Sequence, residues 1–148
     1  MMKRIDLILL VDDNKADNEF HTIVIERADV TNRLHCIPNS RKSLEYVTNS
    51  LTLEDNSQFP VPNLIFLDIN MPAMNGFEFL DKLREVPDPY DRKKKMKIFM
   101  LTGSLNPDDY KLANEKYHDM ITGFRIKPLL ESIFSDIVQH YFWGTIKP

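Results

Sequence analysis

The chain has 148 residues, 43% of them hydrophobic and 28% charged, with a formal net charge of −3. That is enough chain for one domain with a continuous apolar core, and the slightly acidic balance argues against a general nucleic-acid or membrane surface. Cys36 is the only cysteine, which excludes an internal disulfide and a thiolate metal centre and suits a reducing compartment.

Apolar runs of strand length alternate with helical periods throughout. The first run, Ile5–Val11, has no polar/apolar alternation, as expected of a strand buried on both faces, and it ends at Asp12-Asp13. Because only these seven residues separate Arg4 from the acids, no secretory leader is expected, and no apolar stretch reaches membrane-spanning length. The protein is therefore expected to be cytoplasmic. Asn14 or Asp13 caps a helix whose apolar face is predicted to be Phe20, Ile23, Val24 and Ala28. A second strand, Arg33–Ile37, carries Cys36 as a small buried hydrophobe, and a helix beginning near Ser40 presents Leu44, Val47 and Leu51.

The connection Thr52–Pro62 leads to the strand Leu64–Leu67, again uniformly apolar and ending at Asp68. Gly76 opens a helix with Phe79, Leu80 and Leu83 on one face, followed by a second long connection, Val86–Lys95. Both connections are expected to be surface loops, since a strand resumes directly after each. The basic run Arg92–Lys95 lacks interleaved aromatics and is expected to be a solvated loop, not a nucleic-acid patch. The strand Lys97–Leu101 ends at Thr102, and Asn106 with Pro107 starts a helix carrying Tyr110, Ala113 and Tyr117. The last strand, Gly123–Ile126, ends at Lys127-Pro128. Leu130, Ile133, Phe134, Ile137 and Tyr141 then mark the final helix, with room for only a short tail after it. The four histidines are scattered and are read as surface or packing residues.

This order predicts an α/β fold, a doubly wound five-stranded parallel sheet with helices on both faces, as a single domain over residues 1–148. In such sheets ligands gather at the carboxyl ends of the strands, where Asp12, Asp13, Asp68, Thr102 and Lys127 all fall. Three converging carboxylates repel one another, and a hard divalent cation such as Mg²⁺ relieves that repulsion through oxygen ligands. A carboxylate can accept a phosphoryl group, with the cation, an ammonium and a hydroxyl stabilising its oxygens. Chemistry alone does not choose the acceptor; Asp68 is preferred because its strand should lie centrally. Taken singly, Asp-Asp could be a helix cap, Asp68–Gly76 turn chemistry and Lys127-Pro128 a helix start.

Together these residues resemble the receiver domain of two-component response regulators. The resemblance runs through Leu9-Leu10-Val11-Asp12-Asp13-Asn14, then Phe66-Leu67-Asp68-Ile69-Asn70-Met71-Pro72 with Met74, Gly76 and Glu78. It continues through Met100-Leu101-Thr102-Gly103 and ends with Gly123-Phe124-Arg125-Ile126-Lys127-Pro128. It implies a strand order of 2-1-3-4-5 and no attached output domain. By position, Asp68 is similar to the phosphorylated aspartate, and Asp13 and Asp12 to the direct and water-mediated metal ligands, with the Asn70 backbone carbonyl as a further ligand. Thr102 and Lys127 match the hydroxyl and ammonium that meet the phosphoryl group, and Phe124 the aromatic switch position.

The implied partners are a histidine kinase or histidine phosphotransfer protein and an unidentified target protein, with no nucleic acid or membrane, and the chain a monomer or weak dimer. Self-catalysed phosphorylation and dephosphorylation are the only reactions expected, with Asn70 and Ser104 flanking the water path for the latter. Two rivals remain open. An aspartate-nucleophile phosphatase of the haloacid dehalogenase type would carry Asp-x-Asp, but this chain reads Asp12-Asp13-Asn14. A phosphorylation-independent receiver-like binding module would be expected to lack some of the acceptor-site residues, all of which are present here.

Overall fold

A computed structural model of the protein describes residues 3–103 and 106–144; Ser104 and the last four residues of the tail lie outside the described residues. The elements alternate as β1 (Ile5–Val11), α1 (Lys15–Ala28), β2 (Thr31–Ile37), α2 (Ser40–Thr52), β3 (Leu64–Asp68), α3 (Gly76–Glu85), β4 (Lys97–Thr102), α4 (Pro107–Lys116), β5 (Gly123–Ile126) and α5 (Glu131–Tyr141). All strand pairs are parallel and the order is β2-β1-β3-β4-β5, so β3 is central as its uniform apolarity required. None of the described helices is long and apolar enough to cross a membrane.

Successive side chains of a strand point to opposite faces, so each central strand feeds two cores. Leu9, Val11, Ile65, Leu67 and Met100 pack with α2, α3 and α4, whereas Leu10, Phe66, Phe99 and Leu101 pack with α1 and α5. Phe66 anchors the second core, with its ring centroid 6.1 Å from those of both Phe99 and Phe134.

Side-chain caps fix where the helices begin. Asn14, Asn39, Asn75 and Asn106 each accept a backbone N–H from the first turn that follows, and Asn75 with Glu78 closes a reciprocal capping box. Pro107 occupies the first turn of α4, as its fixed φ favours.

Two helix faces differ from expectation. In α1 the buried residues are Asn18, His21, Val24 and Ile25, while Phe20 and Ile23 stay 42% and 52% exposed. The rotation has a polar cause. Asn18 Nδ2 donates to the Asp12 carbonyl (2.7 Å) and His21 Nε2 accepts the Leu129 N–H (3.0 Å), so both must face inward. In α5, Leu130 is the N-cap and is exposed, leaving Phe134, Ile137 and Val138 as the buried stripe.

The basic run is only partly solvated. The Arg92 guanidinium crosses to the C-terminus of α2 and donates to the carbonyls of Ser50 (3.0 Å), Leu53 (2.5 Å) and Glu54 (3.0 Å). Lys93 Nζ does the same for α3 through the Leu83 carbonyl at 2.9 Å. Cations at helix C-termini offset the macrodipole and satisfy orphan carbonyls, so the two long connections brace each other. Arg92→Ala should lower stability by about 2 kcal/mol in chemical denaturation, because a half-buried set of charge-assisted hydrogen bonds is lost. Phosphoryl uptake, at the opposite end of the sheet, should be unchanged in the same variant.

Candidate phosphoacceptor and metal site

The strand register brings the predicted residues to one end of the sheet. Asp68 is the last residue of β3 and is paired with Leu101, one residue before Thr102 at the end of β4. Thr102 is paired with Ile126, and the Lys127 N–H donates to the Thr102 carbonyl at 2.7 Å, which ties the end of β5 to that of β4. Asp12 and Asp13 follow β1 on the other side of β3. The turn after Asp68 is held by close backbone approach: Gly76 N–H donates to the Ile69 carbonyl at 2.8 Å, and a Cβ on Gly76 would sit 2.6 Å from the Asp68 carbonyl oxygen. Glycine is therefore required where α3 begins.

Asp12, Asp68 and Thr102 are buried, whereas Asp13 is exposed. Carboxylate oxygens of Asp12, Asp13 and Asp68 lie within 4.8 Å of one another. Lys127 Nζ reaches into this group, 2.7 Å from Asp12 Oδ2 and 3.0 Å from Asp68 Oδ1, and it donates a hydrogen bond to Asp17 Oδ2 at 2.8 Å. Asp12 is further fixed by the Asn14 N–H, which donates to its Oδ1 at 2.9 Å. Its Oδ2 is buried and receives no aligned hydrogen bond among the described residues, so only the ion pair with Lys127 compensates it.

The electrostatics follow from this crowding. Burial, then the neighbouring Asp12 charge, push the Asp68 carboxyl up from 3.8 to about 6, against the opposing pull of Lys127. Burial acts to lower the Lys127 ammonium, but the close carboxylates of Asp12 and Asp17 outweigh it, and the pKa rises above its ordinary value. Five charges thus share one pocket with a single cation among them. An oxygen-only donor set with an under-compensated buried carboxylate oxygen fits a hard divalent cation.

Asn70 sits two residues past Asp68, exposed in the loop that turns into α3. Phe124 is half-buried on β5 against the α2/α3/α4 core, its ring edge-on to Tyr110 of α4 with centroids 5.7 Å apart. Phe124 thus connects the strand that precedes Lys127 to the helix that follows Thr102.

Sequence reasoning missed Asp17 and His21. Asp17 lies in the first turn of α1, four residues after Asp13, and this closeness to the acidic pair could have flagged it. His21 is 1% exposed, and burial followed by the Lys127 charge lowers its pKa from 6.5. The folded state therefore disfavours a proton that the unfolded state accepts. The contribution of neutral His21 is fully present above about 6.5 and is lost as pH falls towards the lower folded value. The stability difference between wild type and His21→Gln should shrink on acidification from pH 7.5 to 5 in parallel urea titrations. A pH-independent difference would show that the ring does not titrate in this way.

Comparison with known proteins agrees with this geometry. Residues 8–129 match the family described as the response regulator receiver domain. The response regulator Rcp1 of Synechocystis sp. is 31% identical over 112 residues, 76% of this chain and 71% of that protein. A two-component response regulator from Cytophaga hutchinsonii superposes with a TM-score of 0.78 at 25% identity, covering 93% of this chain and 97% of that one. The Mn(2+)-bound form of Rcp1 does so with a TM-score of 0.70 at 25% identity, over 96% and 97% of the two chains. With its strand order, its acidic cluster and this match over most of its length, the chain belongs to the response regulator receiver domain family.

Proposed function

We propose that this protein is a phosphoacceptor that takes a phosphoryl group on Asp68 from a histidine kinase or a histidine phosphotransfer protein, with Mg²⁺ bound by Asp12, Asp13, Asp68 and the Asn70 carbonyl. The observation that carries this reading is the convergence of three carboxylates and the Lys127 ammonium at the end of the central strand. A carboxylate oxygen of Asp68 forms the new bond to phosphorus while the bond from phosphorus to the donor imidazole nitrogen breaks. The bound cation supplies charge neutralisation at the phosphoryl oxygens. Lys127 holds one of those oxygens, and Thr102 donates its hydroxyl to another. The metal-bound form of Rcp1 favours a divalent cation in this pocket without choosing between magnesium and manganese.

The readout is a changed protein contact. Hydrogen bonds to charged groups contribute roughly 1.5–3 kcal/mol each, so new ones from Thr102 and Lys127 supply about 3–6 kcal/mol. A nearly complete reversal of a two-state equilibrium needs about 5.5 kcal/mol, so the switch is adequate, with partner binding able to complete it. Movement of the Thr102 segment would be transmitted to Phe124 and its contact with Tyr110. In this reading the protein catalyses only its own phosphorylation and dephosphorylation.

The test is incubation with acetyl phosphate and Mg²⁺, then intact mass measurement of wild type and Asp68→Asn. One labile phosphoryl group on wild type alone is expected. Uptake by both proteins, or turnover of a general phosphatase substrate that Asp12→Asn abolishes, would overturn the proposal. The binding-module reading would gain if Asp68→Asn left partner binding and signalling unchanged.

A further inference from the structure

Lys127 carries three N–H donors and faces three carboxylates. Two of them, Asp12 and Asp68, belong to the cluster that can hold a cation, and Asp68 is also the proposed acceptor. The third, Asp17, is outside that cluster and sits on α1, whose first turn is fixed by the Asn14 cap and by the bond from Asn18 to the Asp12 carbonyl. Its contact with Nζ, at 2.8 Å, is an aligned hydrogen bond, whereas Asp12 Oδ2 at 2.7 Å receives none.

We infer that Asp17 is a positioning residue for the phosphorylation reaction: it tethers the Lys127 ammonium to α1, so that the ammonium keeps its place over Asp68 when a cation and a phosphoryl group occupy the other two acids. This rests on the function proposed above. A cation bound by Asp12 and Asp68 draws on the same oxygens that face Nζ, and its positive charge repels the ammonium. Without a third anchor, a lysine on a flexible four-carbon stem would swing outward, and the phosphoryl oxygens would lose a counter-charge as the new bond forms. Asp17 Oδ2 removes that freedom. It leaves the other N–H groups of Nζ pointing toward Asp12 and the acceptor, a preorganised donor aimed where charge develops. Asp17 touches neither the metal cluster nor the acceptor, so it acts only through Lys127.

The experiment compares wild type, Asp17→Asn and Asp17→Glu by two readouts: the rate of phosphoryl uptake from acetyl phosphate at saturating Mg²⁺, and the ¹⁵N signal of the Lys127 ammonium, assigned by Lys127→Arg. Asp17→Asn should slow uptake about ten-fold, the size expected when one charge-assisted hydrogen bond stops holding the ammonium. Its apparent Mg²⁺ affinity should change by less than about three-fold, because Asp17 is not among the carboxylates that could ligate the cation and its side chain is partly exposed, where a charge contributes little. The ammonium signal should be protected from exchange in wild type, lost in Asp17→Asn, and, with the rate, largely regained in Asp17→Glu. Wild-type rate and a protected signal in Asp17→Asn would overturn the inference, as would loss of Mg²⁺ affinity in step with the rate. If wild type itself takes up no phosphoryl group, the proposed function fails, and the ammonium signal alone then decides whether Asp17 anchors Lys127.

Discussion

Asp68→Asn should stabilise the metal-free protein while abolishing its capacity to carry a phosphoryl group. Burial and the Asp12 charge raise the Asp68 carboxyl from 3.8 to about 6 in the folded state. A raised acid pKa means that the fold penalises the ionised form. The penalty is fully present above pH 6, shrinks as the folded state takes up a proton between 6 and 3.8, and is gone below the unfolded value. The side chain is 5% exposed, so solvent screening discounts the effect little. At pH 7.5 the neutral isostere should gain about 3 kcal/mol, from the free energy equivalent of a pKa change, or roughly 6–12 °C in melting temperature for a chain of this size. Thermal melts in a chelator at pH 7.5 and pH 4 check this, with the gain confined to the higher pH. Added Mg²⁺ should raise wild type more than Asp68→Asn, because the cation supplies the compensation that the substitution makes unnecessary. Equal melting temperatures at pH 7.5 in chelator would mean that the pocket does not strain its carboxylates.

Lys127→Gln should act in the opposite direction. The substitution leaves the carboxylates of Asp12, Asp17 and Asp68 around a neutral amide where an ammonium stood within 3.0 Å of all three. Breaking a buried ion pair from one side costs about 3–5 kcal/mol, and the partly exposed Asp17 places this site near the lower figure. The folded pKa of Lys127 is raised, so its contribution is present below the unfolded value of 10.5 and fades as pH climbs through the folded one. The loss in Lys127→Gln should therefore be undiminished at neutral pH. Chemical denaturation in chelator should show it, and Mg²⁺ should recover more stability in this variant than in wild type. A loss under about 1 kcal/mol would mark the pair as no stronger than an exposed surface ion pair.

The opposite signs of these two substitutions follow from one fact, an excess of negative charge held at the end of a central strand. The acids at the ends of β1 and β3 and the lysine after β5 could be found from sequence because uniformly apolar runs identify buried strands, and whatever follows such a run lies at the sheet's carboxyl edge. The orientation of α1 could not. Its periodicity favours burial of Phe20 and Ile23, but the bonds from Asn18 to Asp12 and from Leu129 to His21 turn the helix so that those two stay exposed. The first spans six positions and the second 108, and no apolar periodicity announces either. The role of Arg92 was hidden because its acceptors lie 38 to 42 positions away, at the C-terminal end of α2 and just beyond it. Asp17 was missed although its spacing from Asp13 was visible, because an acid in a first helical turn already has a sufficient explanation in the helix dipole.

The most direct measurement is to trap the phosphorylated protein with borohydride, which reduces an acyl phosphate to the alcohol, and to locate the resulting homoserine by peptide mapping. The account predicts homoserine at position 68 alone, formed only when acetyl phosphate and a divalent cation are both present. Homoserine at Asp12, Asp13 or Asp17, or at position 68 to the same extent in chelator, would contradict it.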